Sequence, residues 1–171
     1  MPDKPLETTW VGTRLLPVVR RGRRFSRRLL RGARSRVRPR IGTLGELGFS
    51  LPAASALPAE ADGQQLRRLD VVVLSAPPST EQIPAAYLKP LIGAEQHSIP
   101  TVLAVTRAEE LAHPVAAVVT HLVTTDPALL PAVERFAGTE RSALLEGEAS
   151  AGSRAATLRR LTLVHTPVGS R

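Results

Sequence analysis

The sequence predicts an α/β fold: an open parallel sheet with flanking helices, preceded by a basic N-terminal extension that is helical or disordered. Three observations predict it. Leu69-Asp70-Val71-Val72-Val73-Leu74-Ser75 holds four consecutive large apolar residues, three of them β-branched, begun by an Asp and left through Ala76-Pro77-Pro78-Ser79. That is the pattern of a strand buried on both faces, and such strands belong to parallel sheets covered by helices. Apolar runs of this kind then alternate with helical patterns as far as Leu145. Finally, the charge is divided: residues 1–40 hold 13 of the 23 Lys and Arg against two acids, for +11, whereas residues 41–171 hold 10 basic and 13 acidic residues, for −3.

The extension comes first, over residues 1–37. Arg20, Arg21, Arg23, Arg24, Arg27, Arg28, Arg31 and Arg34, with Arg36, Arg38 and Arg40 beyond them, surround a sparse apolar set of Val18, Val19, Phe25, Leu29, Leu30 and Val37. Val18, Phe25 and Leu29 share roughly one helical face, which predicts a basic amphipathic helix over about 18–34, after Pro17 and before Pro39. Three readings compete for it. On an anionic membrane it would bury Phe25, Leu29 and Leu30 at the headgroup boundary while the arginines meet lipid charge. As a nucleic-acid arm it would contact phosphates with a steep salt dependence. The single aromatic makes this the weaker binding mode, because base stacking has little to work with. In the third reading it is solvated and partly disordered, or packs on its own domain.

The α/β domain follows over residues 38–147. Arg38 to Leu44 is a candidate first strand, and Pro39, which donates no hydrogen bond, suits it to an edge. Gly45, Gly48, Pro52 and Pro58 rule out a long helix over 45–62 and leave a loop and a short second strand near Ala56 and Leu57. Gln64 to Leu69 is a brief helix before the central strand. Ile83, Ala86, Tyr87, Leu91 and Ala94 have the spacing of a sheet-covering helix, interrupted or kinked at Pro90. Thr101 to Thr106 is the next core strand, and a short helix begun at Arg107 is checked by Pro114. Leu122 to Thr125 is another strand. Asp126 at an N-cap position and Pro127 at the first helical position open a helix that buries Leu129, Leu130, Val133 and Phe136 and ends at Gly138. Ser142 to Leu145 is the last strand. Strands and helices alternating at this spacing imply right-handed crossovers and a Rossmann-type sheet. Residues 148–171 form a small-residue linker, a helix with Leu158, Leu161 and Leu163, and a loose tail.

Composition excludes several classes of chemistry. Without cysteine there are no disulfides, thiolate metal sites or cysteine nucleophiles, and the four histidines are scattered, so no metal is expected. No Walker motif or nucleophile elbow occurs, and no cofactor is expected. The chain lacks an apolar run of the roughly 20 residues a membrane span needs, and Asp3 with the Arg cluster replaces a signal peptide's apolar core. The expected location is cytoplasmic, with peripheral membrane association through the extension as a further option.

The stretch Leu122-Val-Thr-Thr-Asp126-Pro-Ala-Leu-Leu-Pro-Ala-Val-Glu-Arg-Phe-Ala-Gly138, running into Ser142 to Leu145 and Glu146-Gly147, resembles the last strand-helix-strand unit of the N-terminal domain of GT-B glycosyltransferases. Arg40-Ile-Gly-Thr-Leu-Gly45, Leu69 to Pro77 and Ile99 to Val105 occur in the order and spacing of that family's earlier strands, especially in the spore-maturation-type members. The resemblance covers about residues 38–147. It implies the acceptor-side half of such an enzyme, without the donor-binding domain that holds the nucleotide-sugar, and hence a partner domain or chain for sugar transfer and no activity alone. The family's Gly-rich turn after the first strand is loosely echoed by Gly42, Gly45 and Gly48.

Ligands of open α/β sheets lie at the carboxyl ends of the strands. Candidate binding residues are therefore Glu46, Ser75, Ser79, Thr106, Arg107, Thr125 and Asp126, with a helix cap as the competing role for Asp126. His121, just before a strand, is weighed as a base facing the cleft against an ordinary structural histidine. No catalytic residue is assigned. The alternative function is a non-enzymatic interaction module, its basic arm on anionic membrane or nucleic acid and its α/β domain on a protein partner.

Overall fold

A computed structural model describes residues 39–78, 82–145 and 151–164. The expected amphipathic helix over 18–34, with its arginines, lies outside them. Six parallel strands form one sheet: β1 (Ile41–Leu44), β2 (Ala54–Ala56), β3 (Val71–Ser75), β4 (Thr101–Val105), β5 (His121–Thr124) and β6 (Ser142–Leu144). Their spatial order is β2-β1-β3-β4-β5-β6. The fold is thus the α/β, Rossmann-like arrangement expected, with β3 and β4 deep in the sheet. Val72, Val73, Leu74, Val102 and Leu103 are fully buried. Each such side chain contributes about 1.5–3 kcal/mol over leaving it in water.

Strand alternation divides the core into two layers. Leu44, Val72, Leu74, Leu103, Val105 and Leu122 point to one face. It is covered by α1 (Gly63–Arg67), α2 (Ala85–Gln96), α3 (Pro114–Val118) and α4 (Leu130–Ala137), through Leu66, Leu91, Ala94, Val115, Ala116 and Val133. Ile41, Val71, Val73, Val102, Ala104 and Val123 point to the other face. There α5 (Ala151–Val164) packs with Ala155, Leu158 and Leu161, and the β1–β2 connection adds Leu47, Phe49 and Leu51. Arg154 joins the two covers, donating to the Ser50 carbonyl oxygen at 3.2 Å with its guanidinium 5.7 Å from the Phe49 ring centre.

Several local expectations change. β1 is interior, not an edge, because β2 pairs along its outer side; Pro39 precedes the strand, so its missing N–H costs no ladder bond. α2 runs uninterrupted through Pro90, which is buried, so burial of the ring accompanies the loss of one helical hydrogen bond. Asp126 is not the N-cap of α4. Its Oδ1 accepts from Ala128 N at 2.8 Å, closing a separate turn, and α4 begins four residues later with Pro131 in its first turn. The segment after β4 is a 3-10 helix (Ala108–Ala112) followed by α3, whose N-cap is His113, with Nδ1 accepting from Val115 N at 3.0 Å.

Candidate functional site

Crossover geometry determines where the sheet opens. The β1–β2 connection packs on the α5 face, whereas the β3–α2 connection leads to the opposite face. Right-handed crossovers that run in opposite directions from adjacent strands must diverge in this way, and a crevice opens between their carboxyl ends. It lies between β1 and β3, at Gly45 and Ser75.

Gly45 has φ +75°, and an added Cβ would run into Ser75 Oγ and Tyr87 OH. Three elements therefore converge here: the turn after β1, the end of β3 and the first turn of α2. Glu46, exposed, follows directly. Pro84, the N-cap residue of α2, makes no side-chain capping bond, and the Ala85 and Ala86 N–H groups have no intrahelical acceptor. Gly48, at φ +69°, makes a second left-handed turn in open space. No helix follows these glycines before β2. The connection is an irregular loop anchored by Leu47, Phe49 and Leu51, so the helix N-terminus that holds phosphate in a Gly-rich βα turn is missing from this position. Gly42 belongs to the packing: a Cβ there would lie 2.6 Å from Leu69 Cδ1 and 2.7 Å from Leu57 Cδ1.

The remaining sequence candidates separate into groups. Thr106 and Arg107, at the end of β4, are held by the buried Glu110 carboxylate. It accepts from Thr106 N at 2.7 Å, Thr106 Oγ1 at 2.8 Å, Arg107 N at 3.3 Å and Arg107 Nε at 3.3 Å. These bonds close the turn after β4. Arg107 also pairs with Glu109 at 3.7 Å. Thr125 and Asp126 follow β5, three strands from β1 and so about 14 Å away at ordinary strand spacing. Asp126 N donates to Thr124 Oγ1 at 3.1 Å, a further local turn bond. Ser79 lies outside the described residues. Ser75 is thus the candidate whose side chain meets the turn after β1, and Glu46 is the exposed residue next in that turn.

Tyr87 falls on the sheet-covering face predicted for its helix, where an aromatic looks like core. Its hydroxyl's approach to Gly45 depends on how α2 docks. Glu110 is absent from the sequence reading; the signal that points to it is its spacing, three residues after Arg107, which suits the acid of a capping turn. His121 lies at the amino end of β5, paired with Val102, at the end of the strands opposite the crevice; its Nδ1 is 2.9 Å from Thr120 Oγ1. That position removes it from the cleft.

Comparison with known proteins finds no matching family model, no matching curated protein and no matching solved structure. Among the described residues no group of three or more His, Cys, Asp or Glu side chains could hold a metal ion, and no helix is long and apolar enough to cross a membrane.

Proposed function

We propose that the domain binds a neutral, hydroxyl-bearing acceptor in the β1/β3 crevice, as the acceptor-side half of a glycosyltransferase-like pair whose donor site is supplied by another domain or chain. One observation carries this reading: the Ser75 and Tyr87 hydroxyls meet at Gly45, and the next residue, Glu46, is exposed. The positive feature of the crevice is the N-terminus of α2, equivalent to roughly half an elementary charge. The full negative charge of Glu46 opposes it, so a nucleoside diphosphate meets little net attraction. A sugar hydroxyl, in contrast, can donate to the carboxylate and accept from a hydroxyl or from the α2 amides.

Titrating the full chain with methyl glucoside and with UDP, followed by amide NMR, tests the proposal. Methyl glucoside is expected to shift the Gly45, Glu46, Ser75, Ala86 and Tyr87 amides, and UDP to leave them in place. UDP shifts at these residues without glucoside shifts would overturn it.

A second reading is favoured by the charge division. With +11 in residues 1–40, the arm suits an anionic surface, and the α/β domain would then present a protein partner. Deleting residues 1–37 is expected to abolish sedimentation with anionic vesicles; retained binding would sink this reading.

A further inference from the structure

A second opening lies away from the crevice, beside the edge strand β2 at the amino end of β1 and β3. It is an open groove of about 340 Å³ whose lining includes Arg40, Ser55, Leu57, Gln65, Arg68 and Leu69. Its volume falls within the range of small-ligand sites. The character of its walls is mixed. Leu57 and Leu69 are core-packed side chains that supply an apolar wall, while the two arginines, Ser55 and Gln65 supply donors. Gln65 Oε1 accepts from Asp62 N at 3.2 Å in the capping box of α1, which leaves the amide NH2 as the donor.

Arg40 and Arg68 are the charged side chains that line this groove. No acidic side chain lines it. The acids nearest in sequence bond to groups other than the two guanidiniums: Asp62 Oδ1 accepts from Gln65 N at 2.7 Å, Asp70 Oδ2 accepts from Arg40 N at 2.9 Å, and Glu60 pairs with Lys89 at 3.8 Å. Among the described residues neither the Arg40 nor the Arg68 guanidinium enters an ion pair. Two like charges left beside one opening repel each other, and an anion between them relieves that repulsion. The guanidinium fork matches the oxygens of a phosphate group, and the apolar wall adds contact for whatever carries it. Ala53, which also lines the groove, is held at φ +54°, a left-handed conformation that costs a non-glycine residue about 1 kcal/mol or more.

We infer that this groove is a binding site for a phosphomonoester attached to an apolar or ring-shaped body, gripped by Arg40 and Arg68 and resting on Leu57 and Leu69. The site is separate from the crevice and does not depend on what the crevice binds. The phosphomonoester could belong to a soluble metabolite or to a lipid headgroup.

Amide NMR of the full chain with phenyl phosphate, inorganic phosphate and phenol tests the assignment. Phenyl phosphate is expected to shift the Arg40, Ser55, Gln65 and Arg68 amides and to bind several-fold more tightly than inorganic phosphate; phenol alone is expected to produce no shift. Arg68→Gln and Arg40→Gln, both exposed and so expected to fold normally, should each weaken phenyl phosphate by about tenfold, the loss of one charge-assisted bond. Unchanged affinity in both variants, or shifts confined to residues 1–38, would overturn it. Competition with phosphatidylcholine vesicles, with and without phosphatidic acid, identifies the source. Displacement only by the phosphatidic acid vesicles supports a lipid headgroup, and phenyl phosphate that stays bound supports a soluble phosphomonoester.

Discussion

Replacing Gly45 by Ala probes the crevice most directly, and Gly48 provides its control. Both glycines have positive φ, +75° and +69°, so alanine at either position incurs the left-handed backbone cost, about 1 kcal/mol. They differ in surroundings. A Cβ at Gly48 meets nothing within 4 Å, whereas one at Gly45 runs into Ser75 Oγ and Tyr87 OH. Making room there forces two side chains or the backbone to move, an overpacking cost of about 1–3 kcal/mol. Gly48→Ala should therefore lower stability by about 1 kcal/mol and Gly45→Ala by about 2–4 kcal/mol. Urea denaturation followed by circular dichroism measures both, with the m-value checking that the unfolded state is unchanged. Adding Tyr87→Phe to Gly45→Ala removes one of the two obstructing oxygens and should restore part of the loss. Equal destabilisation by the two alanines, or no recovery with Tyr87→Phe, would refute the convergence of β1, β3 and α2 on this point.

Three further substitutions test other parts of the fold. Ser98 is held at φ +56° after α2, with Ile99 N bonded to Ala94 O at 2.8 Å and Ser98 N to Glu95 O at 3.0 Å, the Schellman pattern that favours glycine. Ser98→Gly should raise stability by about 0.5–1 kcal/mol, seen as a higher urea midpoint; a lower midpoint would mean that the serine side chain outweighs the strain. Leu158 is 1% exposed on α5, so Leu158→Ala should cost about 2–5 kcal/mol, and a negligible shift would show that this helix does not complete the core. Glu110→Ala removes the shared acceptor of the Thr106 and Arg107 donors and should cost about 1–3 kcal/mol in thermal unfolding, with faster amide exchange at Thr106 as the local signature.

How much could be anticipated depended on the range of each interaction. The strand at Val71 to Leu74, its neighbour at Thr101 to Val105 and the helix ending at Gly138 announce themselves within a few residues, because burial on both faces demands unbroken apolar runs and a left-handed turn favours glycine. The charge division is equally local. Strand order is not, since β1 at residue 41 pairs with β3 at residue 71 through backbone groups that every sequence possesses. Pairing also moved β1 from the edge to the interior and gave the edge to a three-residue strand. Side-chain partners follow the same rule. Ser75 and Glu46 lie at strand ends, as alternation implies, yet only the docking of α2 carries Tyr87 to Gly45, and only the fold of the turn after β4 gives Glu110 the donors of Thr106 and Arg107. The periodicity of the chain thus specifies which segments must be buried, while the meeting of distant segments specifies which polar groups remain free to receive a ligand.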